Sequence, residues 1–132
     1  MTLAESSAKM MDTFAFQRVY WGGAAIAFEA DVTMRQQSGG KLGFDDAMRE
    51  LMRCCGDAKK RWPAKTLLAK LDAWYGKPIF TEIATRHLAS VDFPATDRTM
   101  QQIGVVVDDG DVTLDDGHPS VAIRKAIMAK RD

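Results

Sequence analysis

The sequence predicts a mainly α-helical fold: a helical bundle of about four to six helices around a buried central helix, with a small β-hairpin near the C-terminus. Three observations favour it. Apolar residues recur at helical spacing in several segments, Ala24 to Phe28 are five consecutive apolar residues, and Asp109-Gly110 separates two β-branched runs. With 132 residues, the chain (residues 1–132) is expected to form a single helical domain with a sizeable core.

The central helix is predicted to run from Trp21 to Gln37. Since Ala24 to Phe28 are apolar on every side of a helix, we expect this part to be buried all round. Gly39 and Gly40 follow and can end the helix by adopting positive φ. Asp31 and Arg35 form an acid–base pair at i, i+4 spacing, with the acid nearer the N-terminus, which is the favourable order.

The remaining elements are predicted from periodicity and from proline and glycine positions. Leu3 to Met11 could form one helix, and Thr13 to Phe16 is expected to be an extended lead-in to Tyr20. Gly22-Gly23 is expected to allow close approach of another backbone. The helices predicted downstream are Phe44 to Cys55, Pro63 to Tyr75, Pro78 to a point before Pro94, Asp97 to Ile103, and Pro119 to about Lys130.

The predicted hairpin has its turn at Asp109-Gly110, a pair that favours a tight β-turn. The acidic residues around this turn could suggest a calcium loop. However, no bidentate glutamate follows at the spacing of an EF-hand, so an EF-hand loop is not expected.

The charge balance is neutral, with 18 basic and 18 acidic residues. It therefore gives no electrostatic reason to expect nucleic acid or a membrane surface as a partner. No apolar run approaches the roughly 20 residues that span a bilayer. The N-terminus lacks the basic and apolar regions of a signal peptide, so a cytoplasmic location is expected.

Cys54 and Cys55 are the only cysteines, and they are adjacent. Adjacent cysteines rarely pair with each other, so the favoured interpretation is two free thiols in a reducing compartment. A redox or soft-metal role is the alternative. His87 lies on the apolar face of its predicted helix, where a half-buried histidine with one hydrogen bond is favoured over a metal ligand.

Recognisable catalytic motifs are missing from the sequence. There is no His-Glu-x-x-His, no Gly-x-Ser-x-Gly and no phosphate-binding glycine loop. A zinc hydrolase needs about three protein ligands and a general base. His87 and His118 are the only histidines, so we expect no metal site and no bound cofactor in this chain.

Three consecutive segments carry a family resemblance: Tyr-Trp-Gly-Gly-Ala (20–24), Phe-Glu-Ala-Asp-Val-Thr-Met-Arg-Gln-Gln-Ser-Gly-Gly (28–40) and Leu-Gly-Phe-Asp-Asp-Ala-Met-Arg (42–49). They resemble the glycyl aminopeptidase family of gluzincin zinc metallopeptidases, in which this pattern follows the zinc-binding motif. The resemblance covers Tyr20 to about Arg49 well, and extends more loosely to Phe93.

The resemblance implies that the chain corresponds to the C-terminal helical part of a peptidase catalytic domain, without the zinc motif. In the family, the tyrosine at the position of Tyr20 stabilises the oxyanion that forms during peptide hydrolysis. One such hydrogen-bond donor contributes about 3 kcal/mol. This chain departs from the family pattern at two positions: Gly22 stands where the family has lysine, and Gly43 where it usually has serine. Substrate-binding residues are not indicated.

Three hypotheses for the function follow. The chain could be a portion of a metallopeptidase that is not catalytic by itself, a stand-alone helical protein-interaction module, or a non-catalytic subunit that completes a zinc-bearing partner. If the zinc-bearing half is missing, the face that packed against it should expose apolar side chains or bury them against a second copy of the chain. Phe14, Phe16 and Trp21 are the residues expected there.

Overall fold

The computed structural model describes residues 1–57 and 59–129, and it confirms a mainly helical fold with a small hairpin near the C-terminus. Over these residues there are eight helices, more than the four to six expected, because short helices flank the long ones. The elements are α1 (Leu3–Ala8), α2 (Met10–Thr13), α3 (Phe16–Gln37), α4 (Phe44–Cys55), α5 (Ala64–Tyr75), α6 (Ile79–Ala89), α7 (Asp97–Gln101), β1 (Val105–Asp108), β2 (Asp111–Leu114) and α8 (Val121–Met128).

Helix α3 is the central helix, and every other described helix except α5 packs against it. The predicted start at Trp21 is wrong, since α3 begins at Phe16. The expectation that Ala24 to Phe28 is buried all round is also wrong, because Ala24 is exposed and Ile26 to Phe28 are half-buried. The residues that are almost completely buried lie further along, at Ala30, Asp31, Val32, Met34 and Arg35. The main core consists of Ala30, Met34, Ala47, Leu71, Ile79, Phe80 and Ile83.

The stretch from Thr13 to Phe16 is not extended, contrary to prediction: Thr13 ends α2, Phe14 is left-handed and Phe16 begins α3. The residues before it are helical. Thr2 Oγ1 accepts a hydrogen bond from the Glu5 N–H at 3.2 Å, and a Glu5 carboxylate oxygen accepts one from the Thr2 N–H at 2.7 Å. This reciprocal cap begins α1. A single helix over Leu3 to Met11 is not formed, because α1 ends at Ala8 and α2 begins at Met10.

The Asp31–Arg35 pair forms as predicted and also begins the next helix. Arg35 Nε donates to Asp31 Oδ1 at 3.0 Å, and the Phe44 N–H donates to the same oxygen at 2.7 Å. Asp31 therefore caps α4, whose own N-cap residue, Gly43, has no side chain to do so. A Cβ at Gly43 would lie 2.6 Å from Arg35 Nη2. A side chain at this position would therefore require the Arg35 and Asp31 side chains to shift.

Helix α6 is capped in the same way by the preceding helix. Pro78 precedes α6 and provides no side-chain cap, but Asp72 Oδ1 on α5 accepts from the Phe80 N–H at 2.8 Å. The predicted ends of α5 are confirmed to within one residue, and Gly76 follows it at φ 88°. Two caps from neighbouring helices thus connect α3 to α4 and α5 to α6.

The hairpin has the predicted turn, with Asp109 at φ 47° and Gly110 at φ 84°. Val105 pairs with Leu114, and Val107 pairs with Val112. Since side chains alternate along a strand, these four apolar residues share one face of the hairpin.

The two helices that flank the hairpin are shorter than predicted. Helix α7 ends at Gln101 rather than at Ile103, and α8 begins at Val121 rather than at Pro119. The predicted end of α8 at Lys130 lies outside the described residues.

Cys54 and Cys55, at the end of α4, are joined in a disulfide, so the expectation of two free thiols is wrong. Periodicity placed both residues on a helix but carried no information about the bond between their sulfur atoms. The free-thiol argument for a reducing compartment therefore no longer applies.

Candidate interaction surface

An exposed group of aromatic side chains lies at the start of the central helix. We call Phe14, Phe16, Tyr20 and Trp21 the N-terminal aromatic surface. Their exposed fractions are 78%, 43%, 70% and 51%. The rings pair at centroid distances of 6.2 Å for Phe14 and Phe16, and 5.3 Å for Tyr20 and Trp21. The expected exposure of Phe14, Phe16 and Trp21 is confirmed.

The backbone of Phe14 is held in an unusual conformation. Its φ of 53° and ψ of 32° lie in the left-handed region, which costs a non-glycine residue about 1 to 2 kcal/mol. The cost is not offset by burial of the ring, because the ring is mostly exposed. The conformation ends α2, where the Phe14 N–H donates a hydrogen bond to the Met10 carbonyl oxygen.

Tyr20, the residue given a catalytic role by the resemblance, is a surface residue in the second turn of α3. Its ring packs edge to face on Trp21, and 70% of the residue is exposed. Its phenol is therefore available to a partner. The oxyanion-stabilising role stays a prediction.

Gly22, which stands where the resembled family has lysine, is buried against α1. A Cβ at this position would lie 2.6 Å from Leu3 Cδ2, and Leu3 is itself buried. The expected close neighbour of the glycine pair is therefore a side chain rather than a backbone. Gly23, by contrast, has open space around it. A lysine at Gly22 would require the Leu3 side chain to shift.

His87 belongs to a polar network between α3 and α6, as the favoured interpretation expected. Its Nε2 lies 2.7 Å from Glu29 Oε2, and Arg86 Nη2 donates to Glu29 Oε1 at 2.7 Å. Burial acts to raise the pKa of Glu29, but the hydrogen bonds from Arg86 and His87 outweigh it and hold the pKa below its usual value. Sequence reasoning missed Glu29 as the partner, because 58 residues separate it from His87.

The second histidine has a separate local role. His118 Nδ1 accepts a hydrogen bond from the Ser120 N–H at 3.0 Å, in the loop before α8. Within residues 1–57 and 59–129, no three His, Cys, Asp or Glu side chains come together in a group that could hold a metal ion. In the same residues, no helix is both long and apolar enough to cross a membrane.

Comparison of the chain with protein-family models, curated proteins and solved structures gives no match.

Proposed function

We propose that this chain is a helical scaffold of the glycyl aminopeptidase type that is not catalytic by itself and that packs against another polypeptide through its N-terminal aromatic surface. The observation that carries the proposal is the exposure of Phe14, Phe16, Tyr20 and Trp21 on one short segment. Aromatic residues are enriched at the centres of protein interfaces, where burial of their large apolar area stabilises the complex.

The peptidase-type scaffold is supported by the hydrogen bonds that the residues carrying the resemblance make at the connection between α3 and α4. Asp31 and Arg35 hold the start of α4. Ser38 Oγ accepts from the Leu42 N–H at 2.9 Å in the connection between the helices, and Gly40 adopts a φ of 84° there. Asp46 Oδ2 accepts from the Gly43 N–H at 2.8 Å. The shared pattern thus specifies one helix–turn–helix unit, and none of these contacts requires the zinc half of a peptidase.

Two partners fit this surface. The first is a zinc-bearing polypeptide, which the resemblance implies and which this chain would complete without supplying a metal ligand. The second is another copy of the chain, since one self-complementary patch can cover both copies of a symmetric dimer. The neutral formal charge of the chain means that two copies would not repel each other strongly.

The test measures the mass of the purified chain by light scattering or sedimentation over a range of concentrations. We expect a dimer that Trp21→Glu dissociates, because the substitution places a charge at the buried centre of the contact. Met52→Glu is the matched control, since Met52 is 72% exposed on α4, away from this surface. A monomeric wild-type chain that co-purifies with no zinc-bearing polypeptide would contradict the proposal.

A second measurement addresses the non-catalytic part of the proposal. The chain is purified with zinc present, its metal content is measured by elemental analysis, and glycyl and alanyl amides are assayed as substrates. We expect neither stoichiometric zinc nor turnover, because the sequence lacks the His-Glu-x-x-His ligand set. One-to-one zinc binding with turnover by the isolated chain would overturn this part.

A further inference from the structure

A second feature of the molecule lies far along the chain from the aromatic surface, between the hairpin and α8. It is a cavity of about 460 Å³, within the range of small-molecule sites, which is roughly 300 to 1,000 Å³. Its walls come from α3, the region of α7, both strands and α8. The main apolar lining residues are Phe28, Ile103, Val105, Leu114, Ile127 and Met128.

Three charged residues, Asp116, Arg124 and Lys125, also line this cavity. The Arg124 guanidinium is buried, donates to the carbonyls of Ile103, Gly104 and Asp115, and forms an ion pair with Asp116. Its donors and its charge are therefore already used. Lys125 is exposed and forms no ion pair with any residue in the described ranges. Among the described residues that line the cavity, Lys125 is therefore the charged side chain without an ion-pair partner.

We propose that this cavity binds a single-chain amphiphilic anion, such as a medium-chain carboxylate, with the hydrocarbon chain between the hairpin and α8 and the head group at Lys125. The apolar walls favour a hydrocarbon chain. The Lys125 ammonium favours a single negative charge. The apolar face of the hairpin continues outward from Val105 and Leu114 to the exposed Val107 and Val112, so the surface along which a chain can lie is longer than the cavity itself.

The molecule contains an internal comparison for this assignment. A second apolar groove, of about 350 Å³, lies between α3, α4, α5 and α6. Its lining includes Ile26, Met48, Leu67 and Leu88, and none of the described residues that line it is charged. Binding driven by apolar contact alone would use both sites, whereas selection for an anion requires Lys125.

The experiment measures binding of dodecanoate, below its micelle-forming concentration, by calorimetry or by shifts of methyl resonances. Dodecan-1-ol and a dodecyl trimethylammonium salt are the neutral and cationic probes. We expect dodecanoate to bind more tightly than either. Lys125→Gln should lower the affinity for dodecanoate by about threefold and leave the affinity for dodecan-1-ol unchanged, as expected for the loss of one exposed ion pair. Lys65→Gln, which removes an exposed lysine from α5, is the matched control and should change neither.

Substitutions that fill the cavity test whether the hydrocarbon chain of the ligand lies inside it. Val105→Trp and Leu114→Trp should each lower the affinity for dodecanoate and for dodecan-1-ol by at least about tenfold. Leu88→Trp, in the other groove, should not. The far-ultraviolet circular dichroism of each variant checks that it is folded. Two cavity-filling variants are used so that the test still holds if one of them does not fold.

Several outcomes would overturn the proposal. The first is the absence of dodecanoate binding. The second is a loss of affinity in Leu88→Trp as large as that in Val105→Trp and Leu114→Trp. The third is an unchanged preference for the anion in Lys125→Gln. Binding only to vesicles of anionic lipid and not to monomeric dodecanoate would assign the surface to a membrane instead. A change of molecular mass in Val105→Trp without any ligand effect would assign the cavity to contact between copies.

Discussion

The two ends of helix α3 differ in what surrounds them. From Ala30 to Arg35 every side chain except that of the half-buried Thr33 is almost completely buried, and the charged pair in this part caps the next helix. From Phe16 to Gly23 the same helix exposes three aromatic rings and a glycine with open space around it. The C-terminal part therefore holds the fold together, whereas the N-terminal part has apolar surface that the fold itself does not use.

The largest expected effect comes from breaking the C-terminal part. Asp31→Ala removes the cap of α4 and leaves the buried Arg35 without its partner, so we expect a loss of about 3 to 5 kcal/mol in the free energy of unfolding. Urea denaturation measures it. Asp12→Ala, an exposed acid on α2, is the control and should change stability by less than about 0.5 kcal/mol. A loss below about 1 kcal/mol for Asp31→Ala would show that the pair is not important for the fold.

Substitutions of two glycines, one in each region, test the same difference with stability effects of intermediate size. Gly43→Ala places a Cβ 2.6 Å from Arg35 Nη2, so we expect destabilisation of about 1 to 3 kcal/mol. Gly23→Ala meets no atom within 4 Å and lies inside a helix, so it should stabilise the chain by about 0.5 to 1 kcal/mol. Thermal unfolding of the two variants compares them directly. Equal effects of the same sign would contradict the packing described at these positions.

The smallest expected effect concerns acid. The pKa of Glu29 is lower in the folded chain than its ordinary value of 4.5, so its contribution to stability is fully present above that value. It is lost as the pH falls through the folded-state pKa. Glu29→Gln should therefore make the free energy of unfolding less dependent on pH below about 5. Asp12→Asn is the control, and an unchanged acid dependence in Glu29→Gln would contradict the proposed role of the network.

The parts of the fold that sequence predicts well are those with a local signal. The apolar spacing of α4 and the Asp109-Gly110 turn depend on residues close to one another along the chain. The cap from Asp72 to α6 and the link from Glu29 to His87 join different helices, so no local pattern shows them. The capping box of Thr2 and Glu5 is also a local signal, and its spacing is enough to predict the start of α1.

The candidate surface was predicted in part, for a similar reason. The exposure of Phe14, Phe16 and Trp21 was expected only from the family resemblance, which implies a missing neighbour. The left-handed backbone at Phe14 could not be predicted, because an aromatic residue has no local preference for it. The cavity beside α8 was missed because its walls come from distant segments of the chain.

The most direct test of the interaction surface is the dependence of stability on protein concentration, measured on the chain purified alone. If two copies bury the N-terminal aromatic surface against each other, unfolding requires their dissociation, so the urea midpoint should rise as the protein concentration rises. In Trp21→Glu the midpoint should be the same at every concentration, and in Met52→Glu it should behave as in the wild type. A wild-type midpoint that does not change with concentration would contradict self-association through this surface.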